Sequence, residues 1–472
     1  MSRFQISTFT SATRPVTLRS VSRTVTFAVA MAASFAACSP GTAELAAGDA
    51  SIAANGSVRL SAPSVPRNVI VLISDGCGPA SFTMARTVAS RMGIRDELYL
   101  DDVLVGSVRT SSANREVTDS AAGATAFACG VKTNHQAVGV DAAGNPAKTV
   151  LERAEELGMA TGVIATKSIT DATPAAFTAH VANRYEGEAQ IAIQQISGGF
   201  DLLFGGGRTS FLPADAGGNR KDGRNLVDEA RASGYNVVFD KPEWDAVTEL
   251  PVIALLAEKH LAYEIDRDPS RQPTFPDIVR KAIDLLDDDP DGFFLMAEGS
   301  LIDIAGHAND APAHVRDILA YDEGVRVALD YARTNGNTLV ISVSDHETGG
   351  LTLGRNYRWN PEVLAQVSAS QDSVAAALAR GGTVRSVIEK NFGFADLTDD
   401  EVGEVEAAST GNAMNGALSR IVGNRALIDW TSFGHTGVDV NLYAFGPGSE
   451  RFRGDHDNTF VGIQLFELLD AR

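Results

Sequence analysis

Residues 68–75 read Asn-Val-Ile-Val-Leu-Ile-Ser-Asp, an unbroken β-branched apolar run that ends on an acid. A strand with one face in water alternates apolar and polar residues; an unbroken run belongs to a strand covered on both faces. A parallel sheet with helices on each side provides that environment. Similar runs return at 160–165, 201–204, 235–239, 292–298, 338–345 and 440–445. Stretches of helical periodicity at 148–157, 226–232, 275–286 and 313–331 alternate with them. The chain is therefore expected to be α/β, with a doubly wound, mostly parallel central sheet flanked by helices. Ligands of such sheets bind beyond the carboxyl ends of the strands. Asp75, Glu298 and Asp345 each stand at such an end, which is a physical reason to expect one shared site.

A chain of 472 residues can bury a large core, as one α/β domain with an insertion or as two domains. Residues 351–432 differ from the rest, with Ala- and Glu-rich helical periodicity over 361–379, 383–390 and 397–407. Thr398, with Glu401 three residues later, has the form of a helix cap. This stretch reads as a helical insertion before His435, inside a catalytic domain of residues 67–472. The N-terminus reads differently again. Arg3, Arg14, Arg19 and Arg23 precede an uncharged apolar stretch over 25–37, the form of a signal peptide spanning 1–37 and too short for a confident membrane span. It ends Phe35-Ala36-Ala37-Cys38-Ser39, which looks like a bacterial lipoprotein cleavage site. Cys38 would then carry lipid and tether an exported protein, in the periplasm or at the outer membrane; simple secretion is the other reading. Residues 38–66, rich in Ala, Gly and Ser, read as a flexible tether. Cys77 and Cys129 make no disulfide framework and are expected as small buried residues near the site, although a single bridge stays open.

Net charge is −20. Nothing offers the basic stripe that a nucleic-acid-binding surface needs. An anionic small molecule stays open as a substrate, because bound metal ions reverse the local field.

Chemistry-bearing residues gather at the strand ends. Val117-Thr118-Asp119-Ser120-Ala121-Ala122 can open a helix with a serine hydroxyl at its N-terminus, beside free backbone N–H groups that suit an anion. A hydroxyl is a weak nucleophile and needs an activator. Asp303 and His307, four apart, share a helix face and can reach one metal ion. Asp345-His346 follows a buried run directly, and His435 stands in Gly434-His435-Thr436-Gly437. Glu298 ends another run, and Thr173 precedes Pro174. Each has an ordinary reading taken singly: a cap, a turn, a surface pair. The chain has eight histidines, and three of them fall in these Gly- or acid-flanked segments. His135, His180, His260, His314 and His456 lack a paired acid at ligand spacing and read as structural or surface residues. Gly205-Gly206-Gly207 lacks the Lys-Ser/Thr ending of a phosphate loop and reads as a plain loop.

Six segments, in order over about residues 66–468, resemble the bacterial alkaline phosphatases. They are Ile73-Ser-Asp75-Gly-Cys-Gly, Val117-Thr-Asp-Ser120-Ala-Ala, Asp171-Ala-Thr173-Pro-Ala-Ala with Arg184 beyond, Glu298-Gly-Ser-Leu-Ile-Asp303-Ile-Ala-Gly-His307, Asp345-His346-Glu-Thr-Gly-Gly, and His435-Thr-Gly. The resemblance implies hydrolysis of phosphate monoesters through a phosphoserine at Ser120. It implies two zinc ions, one on Asp303, His307 and His435 and one on Asp345, His346 and Asp75. A magnesium ion would share Asp75 and bind Thr173 and Glu298, with Asp171 ordering its waters. Arg184 would clamp two phosphoryl oxygens, oriented by Asp119. Relatives are often homodimers. Ile304 stands where some relatives carry a basic or aromatic residue, and Asp171 where some carry histidine; aspartate there implies activation by magnesium. The rival readings are a phosphodiesterase or other superfamily hydrolase, and a non-catalytic surface lipoprotein that binds phosphate or metal. Ser120 with Arg184 favours the monoesterase, since Arg184 needs two unsubstituted oxygens.

Overall fold

The computed structural model describes residues 65–408 and 411–472. The 1–37 leader and all but the last residues of the 38–66 tether lie outside the described residues. The strands are β1 (Asn68–Ile73), β2 (Leu104–Arg109), β3 (Ala160–Ser168), β4 (Leu202–Gly206), β5 (Asn236–Val238), β6 (Val252–Leu255), β7 (Phe293–Glu298), β8 (Thr338–Val343), β9 (Glu347–Thr348), β10 (Leu351–Leu353), β11 (Ile428–Trp430), β12 (His435–Thr436), β13 (Val440–Phe445) and β14 (Gly454–Asp457). Ten of them form the central sheet, in the order β14-β2-β13-β8-β1-β7-β3-β4-β6-β5. All its neighbours pair in parallel except at β13, which runs antiparallel to both β8 and β2.

Every residue of β1, β3, β4, β6, β7 and β8 is buried. The reason is visible in β1, where side chains alternate between two cores. Ile70 and Leu72 join Phe82, Phe275 and Val315 on one face. Val69, Val71 and Ile73 join Phe127, Phe177 and Leu465 on the other. A strand sandwiched in this way needs apolar residues at every position.

Three strands carried no such sequence signal. β2 is largely half-buried, and β14, at the sheet edge, is the polar run Gly-Asp-His-Asp. β6 is buried but only four residues long. Between β10 and β11, which pair as an antiparallel ribbon, the chain is helical. The helices there are Glu362–Gln366, Gln371–Ala379, Val384–Phe392, Asp399–Ala407 and Asn412–Ala426. The single helix expected over 361–379 is broken because Ser370 caps a new one, accepting from the Ser373 N–H. Thr398 and Glu401 make the reciprocal cap at the head of Asp399–Ala407. No helix among the described residues is long and apolar enough to cross a membrane.

The central strands also set the stability. Leu72 is fully buried in mid-strand, so Leu72→Ala is expected to cost about 2–5 kcal/mol. A fall in the urea midpoint of unfolding at unchanged slope would register it.

Candidate active site

Four adjacent parallel strands, in the order β8-β1-β7-β3, deliver polar side chains to one edge of the sheet. In register, Ile73 pairs with Glu298 and Val343, and Ala165 pairs with Glu298. Asp75 follows β1, Asp345 and His346 follow β8, Glu298 ends β7, and Lys167 lies near the end of β3. All five are buried. Gly76 takes a positive φ of 73° immediately after Asp75; a Cβ there would stand 2.9 Å from the Asp303 Cα. Glycine thus lets the helix Leu301–Ala308 pass close over the end of β1.

Two groups of ligand-type atoms result. Asp75, Asp345 and His346 converge within 4.8 Å. His346 Nε2 is 3.2 Å from Asp345 Oδ2 and 3.6 Å from Asp75 Oδ1. In the second group, Asp303 Oδ1 is 3.4 Å from His307 Nε2 and 3.6 Å from His435 Nε2, and the two imidazole nitrogens are 3.1 Å apart. The groups adjoin, since the His346 and His435 rings stack at 3.5 Å.

The imidazoles are oriented from behind. His307 Nδ1 lies 2.6 Å from the Phe433 carbonyl and His435 Nδ1 2.9 Å from the Thr118 carbonyl. A carbonyl only accepts, so each Nδ1 carries the proton and each Nε2 presents its lone pair to the cluster. Burial, with His346 alongside, pushes His435 down to about 3, which keeps it neutral. Thr348 is placed by the β9–β12 pairing opposite His435. Its Oγ1 donates to Asp303 Oδ1 at 2.7 Å and lies 3.2 Å from His346 Nδ1.

A third set is marked by buried atoms that have no hydrogen-bond partner among the described residues. They are Asp75 Oδ1, Asp345 Oδ2, Thr173 Oγ1 and Glu298 Oε2. Buried polar atoms are nearly always paired, and oxygens left free in this way suit cations; Asp75 Oδ1 and Asp345 Oδ2 belong to the first group, to which Thr173 Oγ1, on the helix Ala172–Thr178, and Glu298 Oε2, at the end of β7, are additional. Burial pushes Glu298 up to about 7 against the pull of Lys167. Burial, then the charge of Asp303, holds Asp75 well above the usual carboxylate range.

Ser120 is the first residue of the helix Ser120–Cys129 and is buried. Its Oγ is 3.1 Å from His346 Nε2. Asp119 caps this helix through the Ala122 N–H and also accepts the Gln136 N–H at 3.1 Å. The helix packs tightly against the end of β8 because it carries Gly123, where a Cβ would lie 3.1 Å from the Asp345 Cβ. Arg184, first in the helix Arg184–Ser197, reaches Asp171 Oδ1 at 3.5 Å and donates to the Tyr185 hydroxyl. The carboxylate that bonds Arg184 directly is Asp171, while Asp119 acts on the guanidinium through its charge. The Arg184 Nε has no partner among the described residues. A cleft of about 370 Å³ opens beside Asp171 and Arg184, lined also by Tyr185, Lys259 and His260.

Lys167 was missed from sequence. Its ammonium is 2.7 Å from Asp75 Oδ2 and 3.0 Å from Asp303 Oδ2. The apolar run in the sequence ends at Ala165, whereas β3 continues to Ser168. A lysine closing a fully buried strand is the signal that was there to find. Burial alone would raise Asp303; Lys167, helped by His307 and His435, outweighs it and holds Asp303 well below the usual range. The remaining histidines stay outside the two groups. His180 bonds Glu152, His314 bonds Ser81 and His456 stacks on Phe460. Cys77 and Cys129 are both buried and free.

Comparison with known proteins agrees with this geometry. The family model described as alkaline phosphatase matches residues 66–471. The repressible alkaline phosphatase of Saccharomyces cerevisiae is 38% identical, over 87% of this chain and 82% of its own length. The solved cold-active alkaline phosphatase of a psychrophilic Shewanella is 33% identical, with a TM-score of 0.78 over 85% of this chain and 99% of its own. A mutant of the TAB5 alkaline phosphatase, solved with magnesium bound in its M3 site, is 29% identical, with a TM-score of 0.64 over 87% of this chain and 99% of its own. The chain belongs to the alkaline phosphatase family. It is a metal-binding phosphoric monoester hydrolase.

Thr348 touches ligand-type atoms of both groups. Thr348→Val, which keeps the shape and removes the hydroxyl, is expected to weaken metal binding roughly 10- to 100-fold, measured by competition with a chromophoric chelator.

Proposed function

We propose that Ser120 is the nucleophile of a two-step monoester hydrolysis that passes through a phosphoserine. One observation carries the reading. The buried Ser120 hydroxyl lies 3.1 Å from His346 Nε2, beside the partnerless Asp75 Oδ1 and Asp345 Oδ2. Asp75, Asp345 and His346 would hold one zinc ion, and Asp303, His307 and His435 a second. Asp75, Thr173 and Glu298 would hold magnesium, the ion bound in the M3 site of the TAB5 mutant, with Asp171 beside it ordering water. When bound, such ions acidify a hydroxyl and a water at neutral pH and stabilise charge on a transferring phosphoryl group.

The chain's own groups do the rest. The Ser120 oxygen bonds to phosphorus as the ester P–O bond breaks and the alcohol leaves. Water then bonds to phosphorus as the P–Oγ bond breaks, releasing inorganic phosphate and restoring the hydroxyl. Open N–H groups at the head of the Ser120–Cys129 helix favour the phosphoryl anion. Asp119 fixes that helix head. Arg184 turns its planar fork to two phosphoryl oxygens, with its unpartnered Nε among the donors. The cleft lined by Tyr185, Lys259 and His260 receives the alcohol portion of the ester. Export under the 1–37 leader, with Cys38 lipidated or the protein released, would put this activity outside the cytoplasm.

Hydrolysis of a chromogenic phosphate monoester at alkaline pH tests the reading. Ser120→Ala is expected to lower kcat by about 1,000-fold or more, and a chelator to abolish turnover until zinc is restored. Full turnover by Ser120→Ala would remove Ser120 from the mechanism. Arg184→Ala is expected to cut monoester kcat/KM by about 100- to 1,000-fold while sparing the slow diester rate. An equal loss on both substrates would show that Arg184 does not read the second unsubstituted oxygen.

A further inference from the structure

We propose that the Lys167 ammonium is a built-in cation at the third metal position: it claims one oxygen of Asp75, so that the protein holds two zinc ions firmly and takes magnesium only by displacing the lysine. The inference rests on the metal-dependent reading above and deepens it.

Lysine is a costly residue to bury, and Lys167 is only 3% exposed. It is tolerated because its ammonium bonds two carboxylates, Asp75 Oδ2 at 2.7 Å and Asp303 Oδ2 at 3.0 Å. The division of Asp75 is the informative detail. Its Oδ1 faces His346 and has no hydrogen-bond partner, so that oxygen is left for the ion beside Ser120. A third ion that shares Asp75 must then use Oδ2, the oxygen that Lys167 already holds. Magnesium binds carboxylate oxygen at about 2.0–2.1 Å. Placed there, it would face an ammonium across one oxygen atom, and like charges at such separations repel strongly in a water-poor site.

Charge balance points the same way. Asp75, Glu298, Asp303 and Asp345 are buried and Asp171 is partly so. Two divalent ions and one ammonium neutralise these five carboxylates and leave Arg184 for the substrate. A third divalent ion makes the ammonium surplus. Thr173 Oγ1 and Glu298 Oε2 nevertheless remain without partners. The oxygens for magnesium are therefore present, and the lysine stem is flexible enough to withdraw. Displacement, rather than outright exclusion, is what this arrangement permits.

The test is metal retention by the intact protein. Wild type, Lys167→Met and Lys167→Arg are stripped, reloaded with zinc, equilibrated with magnesium, passed through a desalting column and analysed for both elements. Calorimetric titration of each zinc-loaded protein with magnesium gives the affinity. Wild type and Lys167→Arg are expected to keep zinc and lose magnesium. Lys167→Met, with the length but not the charge, is expected to keep both and to bind magnesium roughly 10- to 100-fold more tightly than wild type. Equal magnesium retention and affinity in wild type and Lys167→Met would overturn the proposal, as would weaker magnesium binding in Lys167→Met. Should Lys167→Met not fold, wild type decides: magnesium kept through desalting overturns the proposal, and magnesium lost beside retained zinc supports it. If no protein binds zinc, the metal-dependent reading itself fails, which equal magnesium retention would leave standing.

Discussion

Negative charge collected at one edge of a sheet is the constraint on which this structure depends. Parallel strands all end on the same side, so acids that close β1, β7 and β8 must meet there. Asp75, Glu298 and Asp345 are buried, with Asp303 brought over them by the helix after β7. Charges so placed are unfavourable unless opposite charges accompany them. Lys167 supplies one within the chain, and Arg184 approaches from the side through Asp171. The oxygens that stay unpaired define where metal ions belong. Affinity for metal and for phosphate monoesters thus follows from one electrostatic problem: the cations that neutralise the acids also attract the substrate to a protein of net charge −20.

Precision at that edge comes from close packing. The Ser120 helix is lined with small residues and fully buried, so its head is held rigidly beside β8. Each imidazole facing Asp303 is pinned by a backbone carbonyl behind it. Such bonds choose the tautomer and aim the lone pair before any ion arrives, which limits the reorganisation that binding requires. The nucleophile, the ligand atoms and the arginine sit on separate elements, so their spacing depends on the shared core beneath them.

Much of this was legible in the linear chain because one signal served two purposes. An unbroken apolar run ending in an acid marks a central strand and also marks its functional end; Asp75, Glu298 and Asp345 were found that way. Asp303 and His307 were found through helical spacing. Lys167 was not, because its strand was ended three residues early and lysine is not a usual metal-site residue. Thr348 looked like part of a turn; its role exists only because β9 pairs with β12 and sets it against Asp303 and His346. Asp119 was expected to orient Arg184, and the fold adds Asp171 as the carboxylate in direct reach. Asp119 and Asp171 are both near the guanidinium, and only the fold shows that the Asp119 oxygens already cap a helix and hold the Gln136 N–H. The edge strand β14 and its neighbour β2 were missed because strands left partly open to solvent do not have to be apolar.

By itself the sequence determined the α/β class, the strands that make up the middle of the sheet, and the residue types that bear the chemistry. These follow from burial and periodicity, which are local properties of the chain. Strand order, the antiparallel course of β13, the pairing that carries His435 to Thr348, and the lysine shared between Asp75 and Asp303 were decided only by the tertiary structure. They depend on contacts between residues far apart in sequence, such as Lys167 and Asp303. No local pattern encodes such a contact, because its energy exists only once the sheet has brought both partners to the same edge.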